Sequence, residues 1–310
     1  MEGRQPQVGL LGGDHRMRRA LLAVRVPVLL MLVLTGCSSD DSGSPAAGRP
    51  PSSTATAGSS ASASASASPT TAPPPPPPPT VGACYRLSYA EAVAPTNDDG
   101  PVPCTKPHTT QTFAVGTLQL VTNGHLLAVD SDAVREQVAQ ACPAKLASYV
   151  GATETQLRLS LLRPVWFTPT IEQSDAGAAW FRCDVVAVTG DKQVAKIDHD
   201  LAGAFKKPAD RGELALCGTA QPGTAAFSRV LCGAEHSWKA ISVIDLSHKS
   251  SDGGYPGVAK VKDAGHDVCA EAARAIASDA LDYEWGYEWP TKDQWQAGQT
   301  YGRCWSPDPP

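Results

Sequence analysis

The sequence predicts an α+β protein built from two similar disulfide-stapled units, each a small antiparallel sheet packed with one helix. The first observation is that eight of the nine cysteines form the same four-residue set twice. The second is that a strand-like run and then a helix-like run occur at the same place in each set. The third is that other residue types recur at matching offsets. The two sets are Cys84, Cys104, Cys142 and Cys183, followed by Cys217, Cys232, Cys269 and Cys304.

The matching offsets extend beyond the cysteines. A histidine follows the second cysteine of each set by four residues, and a Pro-Thr pair begins fourteen residues before the fourth cysteine. A glycine, an aromatic residue and an arginine then recur at equal distances from that cysteine. The matched pairs are His108 and His236, Pro169 and Pro290, Gly177 and Gly298, Trp180 and Tyr301, and Arg182 and Arg303. This agreement indicates that one module has been duplicated.

The N-terminus has the features of an export signal. Basic residues precede a short apolar run, which ends in Leu34-Thr35-Gly36-Cys37. That order is typical of a signal peptide, and the run is too short to cross a hydrocarbon core of about 30 Å. The last four residues resemble a bacterial lipobox, which predicts a lipoprotein signal peptide over 1–36 and lipidation, such as palmitate, at Cys37. The alternative is an ordinary signal peptide with Cys37 as a spare thiol; translation begins at either Met1 or Met17.

Residues 37–80 are predicted to be a disordered tether rich in Ser, Ala and Pro. This composition cannot bury enough apolar surface to offset the entropy of ordering the chain. Its serine-rich part is flexible, whereas the seven consecutive prolines at 73–79 favour a stiff polyproline II rod. Such a segment would hold a folded domain away from a membrane.

Charge excludes one class of partner. The formal net charge of the chain is −5, and removal of the basic leader makes the mature chain more acidic. No basic stretch of the kind that binds nucleic acid follows the leader. We therefore expect no nucleic-acid partner.

The two units are predicted to span 81–207 and 208–310. Residues 111–120 and 238–246 have the composition of strands. A helix follows in each unit. In the first, apolar residues recur at helical spacing over 134–146, and in the second Asp263 is the expected N-cap of a helix carrying Cys269 and Ile276.

The disulfide pairing follows from the repeat only in part. If both copies pair internally and alike, three patterns remain. The short first loops favour local pairing, and a bridge from the helix to the last segment would fix the helix to its unit. The favoured pairs are Cys84–Cys104, Cys142–Cys183, Cys217–Cys232 and Cys269–Cys304.

The repeated Cys-x3-His pattern has three interpretations. A thiol nucleophile with a histidine base, or half of a zinc site, would require free thiolates. Structural disulfides suit an exported chain better, so His108 and His236 are predicted to hydrogen-bond neighbouring backbone at the start of a strand. We expect no catalytic residues, no metal and no cofactor.

Aromatic residues in the second unit form a candidate binding surface. Aromatic rings interleaved with carboxylates at 282–289 can stack on sugar rings and hydrogen-bond their hydroxyl groups. The alternatives are that these rings pack the core, or that paired carboxylates cleave a glycosidic bond. The candidate surface consists of Trp285, Tyr287, Trp289 and Trp295.

These residues resemble the septum formation domain of actinobacterial envelope proteins, present twice. The first copy carries Val81-Gly82-x-Cys84, Cys104-x2-Pro107-His108 and Trp166-x2-Pro169, and the second carries Cys232-x3-His236, Trp289-Pro290-Thr291 and Trp295. The second copy departs from the pattern at Leu216-Cys217-Gly218 and at Glu235.

The resemblance implies a cell-envelope protein linked to septation. We expect a non-enzymatic lipoprotein, held by the lipid at Cys37 on the extracytoplasmic face of the cell membrane. Its partners would be cell-wall polymer or envelope proteins. The alternative is a secreted hydrolase that acts on cell-wall glycans.

Overall fold

The computed structural model describes residues 74–190 and 192–308. The predicted signal peptide, Cys37 and all of the tether before residue 74 lie outside the described residues. The α+β class is confirmed, with antiparallel sheets in two repeated units. Among the described helices, none combines the length and the apolar character needed to cross a bilayer.

The first unit forms one main sheet. Its strands lie in the order β1-β2-β6-β5, with β7 paired to β6, and β3 and β4 form a separate hairpin. In chain order the elements are β1 (Cys84–Tyr85), α1 (Tyr89–Ala92), β2 (Thr110–Thr117), β3 (Val121–Thr122), β4 (His125–Leu126), α2 (Asp132–Ala141), α3 (Pro143–Val150), α4 (Glu154–Arg158), β5 (Leu162–Phe167), α5 (Ile171–Asp175), β6 (Trp180–Thr189) and β7 (Gln193–Val194).

The second unit repeats this sheet in the order β11-β12-β10-β8, with β9 added at the edge of β8. A 3-10 turn at Ala204–Lys206 connects the units, and another lies at Ser247–Lys249. In chain order the elements are α6 (Pro208–Glu213), β8 (Leu216–Gly218), β9 (Arg229–Leu231), β10 (Trp238–Asp245), α7 (Val258–Arg274), β11 (Gly286–Glu288), α8 (Lys292–Gln296) and β12 (Tyr301–Pro307).

Strand register shows that the two units are copies. Each unit has one irregularity of register in the long strand that follows the repeated histidine, between Thr112 and Ala114 in β2 and between Ala240 and Ser242 in β10. Both positions lie at the same distance after the repeated histidine. The last cysteine of each unit also faces an aromatic residue on the neighbouring strand. These pairs are Trp166 with Cys183 and Tyr287 with Cys304.

The repeated Pro-Thr pair begins a short capped helix in each unit. Thr170 and Thr291 accept hydrogen bonds from the backbone N–H groups of Gln173 and Gln294, whose side chains bond back to the threonine backbone. This reciprocal arrangement satisfies two exposed N–H groups at a helix start. Each helix is followed by a glycine with φ of +96°, a conformation that side chains with a Cβ rarely adopt. Those glycines are Gly177 and Gly298, which explains why this residue type recurs.

The described residues contain four disulfides, and they are the pairs that the sequence favours. One bridge of each unit connects β1 or β8 to the segment just before the long strand β2 or β10, and the other connects a helical segment to the last long strand of the sheet. The bridges are Cys84–Cys104, Cys142–Cys183, Cys217–Cys232 and Cys269–Cys304.

The two units share one core. Buried residues of the first unit, including Leu162 and Val185, belong to the same apolar cluster as Leu216 and Trp305 of the second. Backbone hydrogen bonds also cross the junction: Leu216 donates to Leu159 at 2.9 Å, and Gly190 donates to the carbonyl of Arg229 at 3.1 Å. The described part of the chain therefore folds as one body with an internal repeat.

The helices differ from the prediction of one per unit. In the first unit the helical run is broken at Cys142 and resumes at Pro143, because proline is tolerated only at the start of a helix. In the second unit α7 begins after Gly257, so Asp263 lies inside the helix and is not its cap. Ile276 lies beyond the end of α7 and is exposed.

Candidate functional site

Two members of the predicted aromatic surface are buried. The Tyr287 ring lies against α7 and its hydroxyl donates a hydrogen bond to the Val261 carbonyl at 2.8 Å. Burial raises the pKa of this phenol. Trp295 is only 4% exposed, and its indole N–H donates to the Gly253 carbonyl at 3.0 Å. The prediction that Tyr287 and Trp295 form a binding surface is therefore wrong.

The reason lies in where the two elements place these rings. Helix α8 directs Trp295 toward Leu246 and Val261, where it fills a small apolar cluster. In the first unit Ser174 holds the equivalent position, so no ring is needed there. Strand β11 directs Tyr287 at Gly265 of α7, which has no side chain to block the ring.

Trp285 and Trp289 remain partly exposed and form an aromatic patch with Lys262 and His266. Residues two apart on a strand share a face, so both indoles lie beside Tyr287 on the side of α7. The Lys262 ammonium lies 5.4 Å from the centre of the Trp289 ring, and the His266 ring meets Trp285 edge-on at 4.9 Å. Lys262 and His266 are four residues apart on α7 and therefore lie on one helix face. The aromatic patch therefore places two partly exposed indoles beside the hydrogen-bond donors of Lys262 and His266, a combination that can contact a polyhydroxylated ligand.

A cleft of about 730 Å³ lies between the two units. On one side it is bounded by β7 and the residues that follow it, and on the other by β9 and the loop after it. Its ionisable groups include Lys196, Asp198, His199, Glu213 and Arg229. Sequence reasoning missed this cleft, because its walls come from separate segments in two different copies of the module.

The repeated histidines both hydrogen-bond the backbone, as predicted. Nδ1 of His108 lies 2.9 Å from the Lys106 carbonyl, and Nδ1 of His236 lies 2.7 Å from the Ala234 carbonyl. A carbonyl can only accept, so Nδ1 carries the proton in both rings. His108 is fully buried, and burial lowers its pKa, against the opposing effect of the Lys106 carbonyl. These histidines hold the turn that leads into β2 and β10.

Cys217, Cys232 and His236 have ligand atoms within 4.8 Å of one another. This arrangement resembles part of a zinc site, which requires thiolate sulfur. The two sulfur atoms are joined in a disulfide. In this state the cluster ties β8 to the end of β9 instead of presenting metal ligands.

The comparison with protein families gives a match to the family described as "Septum formation" over residues 76–174 and again over residues 164–304. The two matches together cover well over half of the chain. No curated protein and no solved structure matches the chain. The internal repeat seen in the sheets agrees with a domain that is matched twice. The chain belongs to the septum formation family.

Proposed function

We propose that this chain is a non-enzymatic, lipid-anchored protein of the cell envelope that binds cell-wall polymer during septum formation. Family membership supports a role in septum formation or in the cell envelope. The lipobox-like sequence ending at Cys37 and the Ser/Ala/Pro-rich tether support attachment to the extracytoplasmic face of the membrane. A tether of this composition leaves the two-copy domain free to reach the wall.

The aromatic patch is the observation that supports binding. Apolar rings that remain partly exposed beside a charged helix face are often interaction sites. Trp285 and Trp289 stand on either side of a buried Tyr287, so their positions are fixed by the contact between β11 and α7. Such fixed rings lose little conformational freedom when a ligand stacks on them.

Several reactive side chains form disulfides or buried ion pairs that hold the fold together, which supports a non-enzymatic role. The eight described cysteines form disulfides. The buried carboxylate of Asp184 pairs with Arg182 and accepts a hydrogen bond from Thr112 at 2.7 Å. The buried carboxylate of Glu288 pairs with Arg229 and Arg303.

Sedimentation of the full chain with insoluble purified cell wall tests the proposal. The double variant Trp285→Ala/Trp289→Ala should lose most of the bound fraction. Leu281→Ala is the matched control, because Leu281 is a large apolar residue nearby that is 97% exposed and lies outside the aromatic patch. Equal binding by the double variant and the wild type would contradict the assignment of this surface.

A hydrolase is the second candidate, and one observation favours it. Asp198 and Glu213 both line the cleft between the units, and glycoside hydrolysis commonly uses two carboxyl groups. If the chain is a hydrolase, the wild type should release soluble reducing sugars from purified wall, and Asp198→Asn or Glu213→Gln should abolish this release. Absence of release by the wild type would support the binding protein instead.

A further inference from the structure

Two arginines pair with one carboxylate where the two units meet, and a third arginine lies near them. Arg163 belongs to β5 of the first unit, Arg229 to β9, and Arg303 to β12. Glu288 on β11 accepts from Arg229 through Oε1 and from Arg303 through Oε2, the latter at 3.3 Å. The side chains of Arg229, Arg303 and Glu288 are only 12%, 3% and 6% exposed, respectively. We call these four residues the junction arginine cluster.

The hydrogen bonds of the junction arginine cluster leave one buried side-chain nitrogen without a partner. Arg303 also donates to the Arg158 carbonyl at 2.7 Å and to the Tyr301 hydroxyl at 3.2 Å. Arg163 donates to the carbonyls of Ser160 and Leu162. Nε of Arg229, in contrast, is buried and has no hydrogen-bond partner among the described residues. A buried charged donor without an acceptor is costly.

The junction arginine cluster also carries surplus positive charge. A guanidinium group does not give up its proton in a protein. Arg229 and Arg303 therefore share the one carboxylate of Glu288, and nearby Arg163 adds a third positive charge in a poorly solvated place. Burial, followed by repulsion from Arg303 and Arg163, lowers the pKa of Arg229 to about 9. The pKa of Arg163 is lowered to about 10, first by burial. Both shifts have the direction expected where a balancing anion is missing.

Among the described residues, no ion pair brings a second carboxylate to Arg163, Arg229 or Arg303. Arg158, whose guanidinium lies 4.5 Å from the centre of the Tyr301 ring, already pairs with Glu154. Both oxygens of Glu288 are already used by arginines. A ligand would therefore supply the missing negative charge.

The junction arginine cluster adjoins the cleft between the units. Arg229 belongs both to the cluster and to the cleft wall, where Ser228 and the backbone of Gly190 are its neighbours. Arginine presents planar, paired donors that match the oxygens of phosphate. We propose that the junction arginine cluster binds a phosphate oxyanion that enters through the cleft, with Arg229 as its main contact. This site is separate from the aromatic patch and does not depend on it.

Thermal unfolding of the full chain with inorganic phosphate tests the site. At constant ionic strength, kept with chloride, phosphate should raise the melting temperature in a saturable way, because a ligand that binds only the folded state stabilises it. Arg229→Gln should weaken the phosphate affinity by about tenfold or more, since it removes charge-assisted hydrogen bonds. Glu288→Gln should instead strengthen the affinity, because it removes the carboxylate that competes for the same arginines.

Arg135→Gln is the matched control. Arg135 is an exposed arginine that pairs with Asp132 on α2, far along the chain from the cluster, so its loss should leave the phosphate affinity unchanged. Calorimetric titration of wild type with phosphate gives a readout that does not depend on any variant folding. No saturable binding by the wild type, or an equal loss in Arg135→Gln and Arg229→Gln, would overturn the proposal.

Two competitors then identify the source of the phosphate group. Competition by a soluble glycerol-phosphate oligomer would assign the ligand to a wall polymer. Competition by phosphatidylglycerol vesicles would assign it to a lipid headgroup. If neither competes with bound phosphate, the site takes the free anion.

Discussion

Replacing Gly265 with Ala tests the contact that fixes β11 against α7. A Cβ at this position would lie 2.0 Å from the Tyr287 ring, well inside the contact distance of two carbon atoms. The ring has little room to retreat, because it also packs closely on Gly302, where an added Cβ would lie 2.5 Å from it, and its hydroxyl is held by the Val261 carbonyl. Two glycines therefore enclose Tyr287.

The expected magnitude combines two opposing effects. Overpacking a core usually costs about 1–3 kcal/mol, whereas replacing glycine with alanine inside a helix contributes up to about 1 kcal/mol of stability. Three ring atoms would lie 2.0–2.4 Å from the added Cβ, so we expect the upper part of that range, about 2–3 kcal/mol. After the helix term of about 1 kcal/mol is subtracted, Gly265→Ala should lower the free energy of unfolding by roughly 1–2 kcal/mol. Gly212→Ala is the matched control: this glycine lies in α6, and nothing is within 4 Å of its missing Cβ. It should gain about 0.5–1 kcal/mol.

Urea unfolding of both variants measures the difference. We expect the two to differ by roughly 2–3 kcal/mol, or about 5–10 °C in melting temperature for a domain of this size. If Gly265→Ala is as stable as Gly212→Ala, then Tyr287 is not enclosed as the structure shows. The assignment of Tyr287 to the core would then be wrong.

Three further predictions concern other parts of the chain. His108→Ala should lower the free energy of unfolding by about 1–3 kcal/mol, because the Lys106 carbonyl loses its donor; unchanged urea unfolding would contradict a structural role. Burial raises the pKa of Asp184 to about 6, although Arg182 opposes the shift. The stability that this raised pKa contributes is therefore fully present below pH about 4, where the carboxyl is protonated in the unfolded chain as well. It is lost as the pH rises through about 6. Asp184→Asn should remove this part of the pH dependence, and equal profiles of melting temperature against pH would refute it. Cys37→Ala should move the protein from the membrane fraction to the soluble fraction, and continued membrane association would contradict lipidation at Cys37.

The sequence was most informative where one residue type has one physical use. Gly177 and Gly298 recur because each adopts a positive φ after a capped helix. The histidines recur because each holds a turn through its Nδ1–H. Positions of this kind can be compared between the two copies without a structure.

The sequence was least informative where the outcome depends on long-range packing. Tyr287 lies in the stretch at 282–289, whose composition suits a binding surface, and Trp295 follows it, yet both rings pack against α7. The junction arginine cluster joins Arg163, Arg229 and Arg303 from three strands, and no spacing along the chain indicates that they meet. Of these three arginines, the repeat in the sequence singles out only Arg303, as the match of Arg182.

The arginine that precedes the last cysteine has different partners in the two copies of the module. In the first copy Arg182 lies over the rings of Tyr85 and Phe167, at 4.0 and 4.4 Å, so residues of the same copy cover this face of its sheet. In the second copy the matching Arg303 donates to the carbonyl of Arg158, which belongs to the first copy.

The residue that follows the last cysteine also differs between the two copies. Asp184 in the first copy is matched by Trp305 in the second, which is fully buried in the core that the two copies share. Separating the copies would expose Trp305 and leave Nε of Arg303 without the Arg158 carbonyl, so the second copy depends on the first for a stable fold. Binding surfaces on either copy must therefore be tested by substitution within the full chain. An isolated second copy would lose affinity because it unfolds, although none of the residues of its aromatic patch had been changed.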